Sequence, residues 1–524
     1  MDNHSTKQLF KGAMLLTLAG LLSKILSAGY RIPLQNITGD LGFYIYQQVY
    51  PFLGFAMVLS LYGFPTAISK LVSDQREQGR DLSFAPVFSL LIIINVTFFL
   101  IMYINSSYIA RWMGDQQLKT PLQTASFIFL IVPFTSMIRG VFQGLNNMKP
   151  TAISQVVEQF IRVSIILMTA TVFIRQGKDL YVVGSGAALG SILGSIVAFI
   201  VLVYLWYKIR PIKKRALKIR WTPYVRIFLV YGFFMSMNHL ILLLLQLADA
   251  FTLIPSLMNY GFNNIEAKQW KGVFDRGQPL IQLGTVVGSS LALALVPSLT
   301  RKRLEKYPEL LQSHIQSSLK LSLLLSVGAA IGLVGLFSHI NVLLFQNDYG
   351  SASLQVLMIA VVFSSLVITS ATILQGLGYI KITAITIAIG VFLKWMLNSW
   401  LTSNYGITGS AGASVISLVA ILFLNVVWLK RVLVKNRLLV LPLSSFSLAI
   451  GGLVIWLYFV NNYLFDWLMI TTRVGYLFFV LLAILGGATI YIILFIRLNG
   501  FNKDELYALP CGEWLSAQVK RRKQ

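Results

Sequence analysis

Gln143-Gly144-Leu145-Asn146-Asn147-Met148-Lys149-Pro150-Thr151-Ala152-Ile153 returns further along the chain as Gln375-Gly376-Leu377-Gly378-Tyr379-Ile380-Lys381-Ile382-Thr383-Ala384-Ile385. One copy begins at 143 and the other at 375, an ungapped offset of 232. The same offset carries Pro65 onto Pro297, Lys70 onto Lys302 and Arg162 onto Lys394. After a short deletion, Gly186-Ala187 falls on Gly412-Ala413. A single matched block is open to coincidence, but proline and cation matches at one offset make an internal repeat the better reading.

What repeats is a set of membrane spans. Hydrophobic residues make up 56% of the chain and charged ones only 12%, with mean hydropathy +0.74. Soluble domains carry roughly 25% charged residues. Stretches such as 87–104, 192–207 and 477–496 hold no Asp, Glu, Lys or Arg, and each matches the ~20 residues that cross a ~30 Å hydrocarbon core. Apolar blocks between polar breaks give an all-α integral membrane protein of about 14 transmembrane helices. Their approximate limits are 12–37, 43–72, 84–106, 119–145, 151–175, 182–207, 225–254, 277–300, 315–337, 350–376, 379–403, 409–429, 440–462 and 473–497.

The repeat interval covers six spans. Six is even, so the two halves enter the membrane in the same direction and are related by an axis along its normal. The expected domains are a six-helix bundle at 8–207, a basic cytoplasmic linker at 208–226, a second six-helix bundle at 227–432, two additional helices at 438–498 and a cytoplasmic tail at 499–524. Lys7 and Lys11 before an apolar run suggest a signal peptide, but Lys24 interrupts that run and cleavage is not expected.

The formal charge of +25 would suggest nucleic acid in a soluble protein. Here the charges fall mostly in loops, so they set orientation instead. With the N-terminus in the cytoplasm, about 29 of the 43 Lys and Arg lie on the inner side, which places both termini in the cytoplasm. The single cysteine, Cys511, permits no disulfide within the chain, and the scattered histidines show no metal-ligand spacing. No G-x-x-x-x-G-K-[ST] loop is present for ATP.

Charges inside spans are few and costly, about 3 kcal/mol for a cation at mid-bilayer. Lys24 and Arg31 lie seven residues apart, on one face of the first span. Arg162 and Lys394 are repeat mates, and Glu158 sits four residues before Arg162 on the same helical face. Arg139 and Lys320, near the inner ends of their spans, read as interface anchors. Asp249 and Glu158 are the carboxylates within spans and the candidates for a coupling Na+ or H+; His239 reads as a packing residue. Pro51, Pro65, Pro133, Pro279 and Pro297 interrupt spans, and Pro51, Pro65, Pro279 and Pro297 are the hinge candidates. Gly186, Gly190 and Gly194, four residues apart, read as close helix packing.

The run Arg139-Gly140-Val141-Phe142-Gln143-Gly144, continuing through Lys149-Pro150-Thr151-Ala152-Ile153-Ser154-Gln155 to Glu158-Gln159 and Arg162-Val163, resembles polysaccharide exporters of the stage V sporulation protein B type. So do 64–70, Arg276-Gly277-Gln278-Pro279 and Leu295-Val296-Pro297-Ser298. The resemblance extends over about residues 8–500 and places the chain in the MATE-like flippase superfamily, related to lipid II flippases. It implies a V-shaped pair of six-helix bundles working by alternating access, with two further helices lining a groove for a lipid tail. Basic residues of the first, second and eighth spans line the cavity of the lipid II flippases. Lys24 and Arg31 resemble the first-span pair and Asp275-Arg276 the start of the eighth, but the second span has no basic residue from 43 to 69.

The expected function is a flippase that moves an anionic polyprenyl-(pyro)phosphate-linked sugar precursor from the inner to the outer leaflet. Lys24, Arg31, Arg162, Arg276 and Lys394 form the expected substrate site. No cofactor is expected. Coupling to Na+ or H+, or the membrane potential, supplies the energy. Partners are the lipid-linked sugar and membrane lipids, without nucleic acid, in a monomer. Two alternatives remain. A cation-coupled multidrug exporter of the same fold would want buried carboxylates in place of buried cations. A membrane glycosyltransferase or polymerase would want a positioned acid–base carboxylate, and the longest external loop, about 256–276, offers only Glu266 and Asp275.

Overall fold

The computed structural model describes residues 3–77, 85–209, 225, 227–295, 308–433, 438–439 and 441–501. Helices α1 (Asn3–Gly29), α2 (Arg31–Val58) and α3 (Phe64–Glu77) open the chain, with a π-helical turn, Leu59–Gly63, between the last two. They are followed by α4 (Ala85–Ile104), α5 (Ser106–Trp112), α6 (Lys119–Ser126), α7 (Val132–Gly144), α8 (Lys149–Arg175) and α9 (Leu180–Ile209). A second π-helical turn, Phe228–Phe234, leads to α10 (Met237–Tyr260), α11 (Asn264–Asp275) and α12 (Gly277–Leu295). The remainder comprises α13 (Pro308–Phe345), α14 (Ser351–Met358), α15 (Ala360–Gly376), α16 (Ile380–Val432), α17 (Leu443–Phe459), α18 (Phe465–Leu468) and α19 (Arg473–Arg497).

Among the described residues, eleven helical stretches are long and apolar enough to cross a membrane. Two of them cannot be single crossings. Met14–Glu77 has 64 residues and Ile380–Val432 has 53, about 95 and 80 Å of helix at 1.5 Å per residue, against a ~30 Å core. Each is broken at a glycine: Gly39 at φ 67, ψ −177 and Gly406 at φ 58, ψ −145. That backbone region is open essentially to glycine alone. Both glycines fall in gaps between the spans read from the sequence, 37–43 and 403–409. Gly277–Leu295 corresponds to the eighth span of that reading.

The chain is an all-helical, multi-pass membrane protein. Large apolar side chains stay exposed along the helices, among them Phe160, Phe392, Phe478 and Leu485, each more than 60% accessible. On a water-soluble molecule such faces would be an aggregation hazard, whereas lipid accepts them.

Two compact units emerge. The first takes Met1–Pro279, Ile380–Val391 and Trp395–Gly406; the second takes Leu280–Tyr379, Phe392–Lys394 and Ile407–Gln524. In the first, α9 lies directly on α8. A Cβ on Gly190 would stand 2.8 Å from Ile166 Cγ1, and one on Gly194 2.8 Å from the Glu158 carbonyl oxygen, so the glycine spacing does mark close packing. Tyr30, Leu34, Tyr46, Tyr50 and Ile166 form a buried cluster beside that contact. In the second, Leu311, Ile315, Ile373, Leu374 and Leu429 pack together.

The repeat is visible in backbone geometry. After α7, Leu145, Asn146 and Asn147 donate to the carbonyls of Val141, Gln143 and Phe142; after α15, Leu377, Gly378 and Tyr379 donate to Ile373, Gln375 and Leu374. Every donor and acceptor is displaced by the same 232 positions. The left-handed residue is Asn146 in one copy (φ 61) and Gly378 in the other (φ 93).

The external segment expected as a loop is instead the helix α11. Asn263 accepts from the backbone of Ile265 and Glu266, and the Glu266 side chain accepts from the Asn263 backbone, a reciprocal cap that starts the helix. Pro51 lies inside α2, Pro65 is the second residue of α3, and Pro279 lies in the first turn of α12, where proline removes no helical bond. Pro297, most of the basic linker and the C-terminal tail lie outside the described residues.

Candidate functional site

Cations dominate the polar interior of the first unit. Arg31 opens α2 and has no accessible surface. Its guanidinium carbon stands 4.0 Å from the centre of the Tyr50 ring. The neighbouring Tyr30 and Tyr46 hydroxyls bond to each other. Nε, Nη1 and Nη2 of Arg31 make no hydrogen bond among the described residues. A cation–π contact returns about 2 kcal/mol when desolvated, while burying an ion costs several. The site is therefore electrostatically incomplete and suited to an anion. Lys24, half-buried on α1, likewise makes no ion pair or hydrogen bond among the described residues.

Arg276 also has no accessible surface. It grips Asp40 through two bonds, Nε to Oδ1 at 2.8 Å and Nη2 to Oδ2 at 2.6 Å. Gln35 donates to the same carboxylate at 2.9 Å. This clamp joins the end of α11 to the residue after the Gly39 kink. The backbone contact is equally close: a Cβ on Gly272 would meet the Asp40 carbonyl oxygen at 2.1 Å. Further along α11, Lys271 contacts both oxygens of Asp275 at 2.6 and 2.7 Å, and Lys268 pairs with Asp115 at 3.0 Å. Tyr44 and Tyr181 donate to that same Asp115. Burial pushes the Asp275 carboxyl up to about 6, with Lys271 and Arg31 pulling it down and Asp249 pushing it up.

Glu158 is bound on both sides. Arg162 reaches Oε1 at 2.8 Å, Arg139 reaches Oε2 at 2.7 Å, and Ser195 donates to Oε1 at 2.9 Å. Arg139 also donates to Ser154 and Ser60. The expectation that Arg139 anchors at an interface is wrong, because it has no accessible surface and is held in this network. One carboxylate thus serves two guanidiniums. Asp249 on α10 is buried and accepts from Asn398 Nδ2 at 3.1 Å; the same amide donates to Thr252 at 2.6 Å.

In the second unit Lys394 is buried and donates to Ser414 at 2.6 Å. That unit also holds a cavity of about 490 Å³, lined by Val327, Ile331, Val334, Val362, Leu457 and Tyr458 among others. It is almost wholly apolar and lies against α17, one of the two helices that follow the repeat.

The structure thus joins Arg162 to Glu158, Arg276 to Asp40 and Lys394 to Ser414, and sets Arg31 against the Tyr50 ring. Asp40, Asp115, Lys268, Lys271 and Asn398 were missed in the sequence. Only the Lys271–Asp275 spacing of four was there to be read. The remaining pairs join different helices, and no local pattern announces them.

The helices, with their repeated helix–turn–helix unit, have the fold of the MATE-like class. The solved lipid II flippase MurJ in its inward closed conformation superposes with TM-score 0.67 at 16% identity, covering 92% of this chain and 98% of that one. An inward-facing multidrug resistance MATE family transporter superposes with TM-score 0.61 at 15% identity, covering 78% and 95%. These likenesses establish the fold.

The polysaccharide biosynthesis protein family matches residues 9–303, and the chain belongs to that family. Among relatives from Bacillus subtilis, the uncharacterized membrane protein YabM is 39% identical, with 98% of this chain and 97% of that protein covered. The lipid II flippase MurJ is 26% identical, covering 84% and 87%, and stage V sporulation protein B is 26% identical, covering 96% and 98%. The resemblance read from 139–163 is therefore correct.

Proposed function

We propose that the chain is a flippase, not an enzyme, and that it carries an anionic polyprenyl-(pyro)phosphate-linked sugar precursor of a cell-wall or surface polysaccharide from the inner to the outer leaflet by alternating access. The observation that carries this reading is Arg31, a fully buried guanidinium without a hydrogen-bonding partner among the described residues. With Lys24 beside it in the chain, and Arg139 and Arg162 outnumbering Glu158, the first unit holds a surplus of buried positive charge. A pyrophosphate offers the charge and the oxygen geometry that guanidinium prefers. A drug exporter for cationic compounds would need the opposite balance.

Arg276 and Lys394 complete the proposed substrate set. The apolar cavity of the second unit is of the size and chemistry to take part of a polyprenyl chain. The oxygens of Asp249 and Thr252, with the Asn398 side chain bridging them, suit a coupling Na+ or H+. Both termini are placed in the cytoplasm, and the working unit is a monomer. The test is a series of single substitutions to Ala at Lys24, Arg31, Arg162, Arg276 and Lys394, read as flipping of a labelled lipid-linked saccharide. Loss at Lys24 and Arg31 is expected, and full activity in all five would refute the assignment.

A further inference from the structure

The π-helical turn Leu59–Gly63 widens the helix by one residue, a device that recurs at functional sites. It meets the other π-helical turn closely: a Cβ on Gly63 would stand 2.7 Å from the Gly232 carbonyl oxygen. Between these turns and α10, Tyr62 stacks on His239, with ring centres 4.1 Å apart and planes 13° apart. Gln155 of α8 donates to the Tyr62 hydroxyl at 3.4 Å. Lys24 of α1 is near enough to His239 to act on it electrostatically.

These side chains come from four separate segments and converge in the first unit. His239 is exposed although Asn238 and Leu240 on either side are buried, and Tyr62 and Lys24 are half-buried. Such a group facing lipid would cost about 3 kcal/mol for the lysine alone, so the accessible surface belongs to an aqueous crevice. The packing role expected for His239 accounts for the ring stack and not for this exposure.

We propose that Tyr62 and His239 form a saccharide subsite beside Lys24, with the buried Gln155 positioning the Tyr62 hydroxyl, and that it reads the sugar joined to the phosphate; this rests on the flippase reading above. An imidazole and a phenol each offer donor and acceptor groups, which is what sugar hydroxyls require. A bare phosphate would call for cations only, and a polyprenyl tail for none of these groups. The stack fixes the imidazole in place, so little ordering remains to be done on binding.

The test is equilibrium binding to the detergent-purified full chain of two probes: undecaprenyl pyrophosphate carrying one N-acetylhexosamine, and undecaprenyl pyrophosphate alone. The wild type is expected to hold the sugar-bearing probe about tenfold more tightly. Tyr62→Phe and His239→Leu are each expected to remove most of that advantage and leave the bare probe within about twofold, whereas Lys24→Ala weakens both probes. His239→Phe, which keeps a ring to stack on Tyr62 but has no donor or acceptor, replaces His239→Leu if the latter does not keep the wild-type melting temperature. Equal binding of both probes by the wild type, or equal weakening of both by the Tyr62 and His239 variants, overturns the proposal. Because the readout is binding, sugar-dependent affinity without lipid movement in proteoliposomes would refute only the flippase reading, and movement without sugar-dependent affinity only the subsite.

Discussion

Glu158 shows how much one buried carboxylate carries. It pairs with Arg139 and Arg162 at once, so Glu158→Gln leaves two guanidiniums facing a neutral amide. Breaking a buried ion pair costs about 3–5 kcal/mol, and a marked fall in melting temperature in detergent is expected; an unchanged melt would show the network to be incidental. Half of this network was legible, because Arg162 follows Glu158 by four residues. Arg139 was misread as an interface anchor, since helix period and position in a span fix depth but not which neighbour a side chain meets. Asp275 gives a pH signature. Its folded value of about 6 lies above the ordinary 3.8, so the native state holds that proton more tightly than the unfolded chain does. The resulting stabilisation is full below pH about 4 and is lost as pH rises through about 6. Asp275→Asn is expected to flatten the melting temperature across that window, and a slope unchanged from wild type would remove Asp275 as its source.

At the scale of elements, glycine decides where helices stop and how near they come. The breaks at Gly39 and Gly406 were legible as polar gaps between apolar blocks. Gly406→Ala forces a side chain into a backbone region that costs about 1–3 kcal/mol. A lower melting temperature is expected, and no change would mean that the kink relaxes. Helix α11 was not legible as a helix, because half of it is polar and it lies outside the apolar blocks; the Asn263–Glu266 capping pair was the one available signal. Its docking on α2 depends on Gly272 against the Asp40 carbonyl. Gly272→Ala is expected to lift α11 and loosen the Arg276–Asp40 clamp, seen as faster hydrogen exchange confined to α11 and the Gly39 region; exchange unchanged there would show that the contact is not tight.

For the whole molecule, the repeat, the apolar blocks and the charge balance made the fold class legible. The site was legible only in its chemistry: the sequence gives the sign of the buried charge, while pairing among helices depends on packing that no period encodes. The proposed transport rests on that sign. The cell interior is negative, and an anion moving outward gains ~2.3 kcal/mol per charge per 100 mV. The most direct measurement is movement of a labelled undecaprenyl pyrophosphate-linked saccharide in proteoliposomes holding the purified full chain, run beside ethidium efflux. Movement of the saccharide lipid that rises with an inside-negative potential and is lost in Arg31→Ala is the expected result. Ethidium efflux without saccharide movement, or movement indifferent to Arg31, would contradict the account.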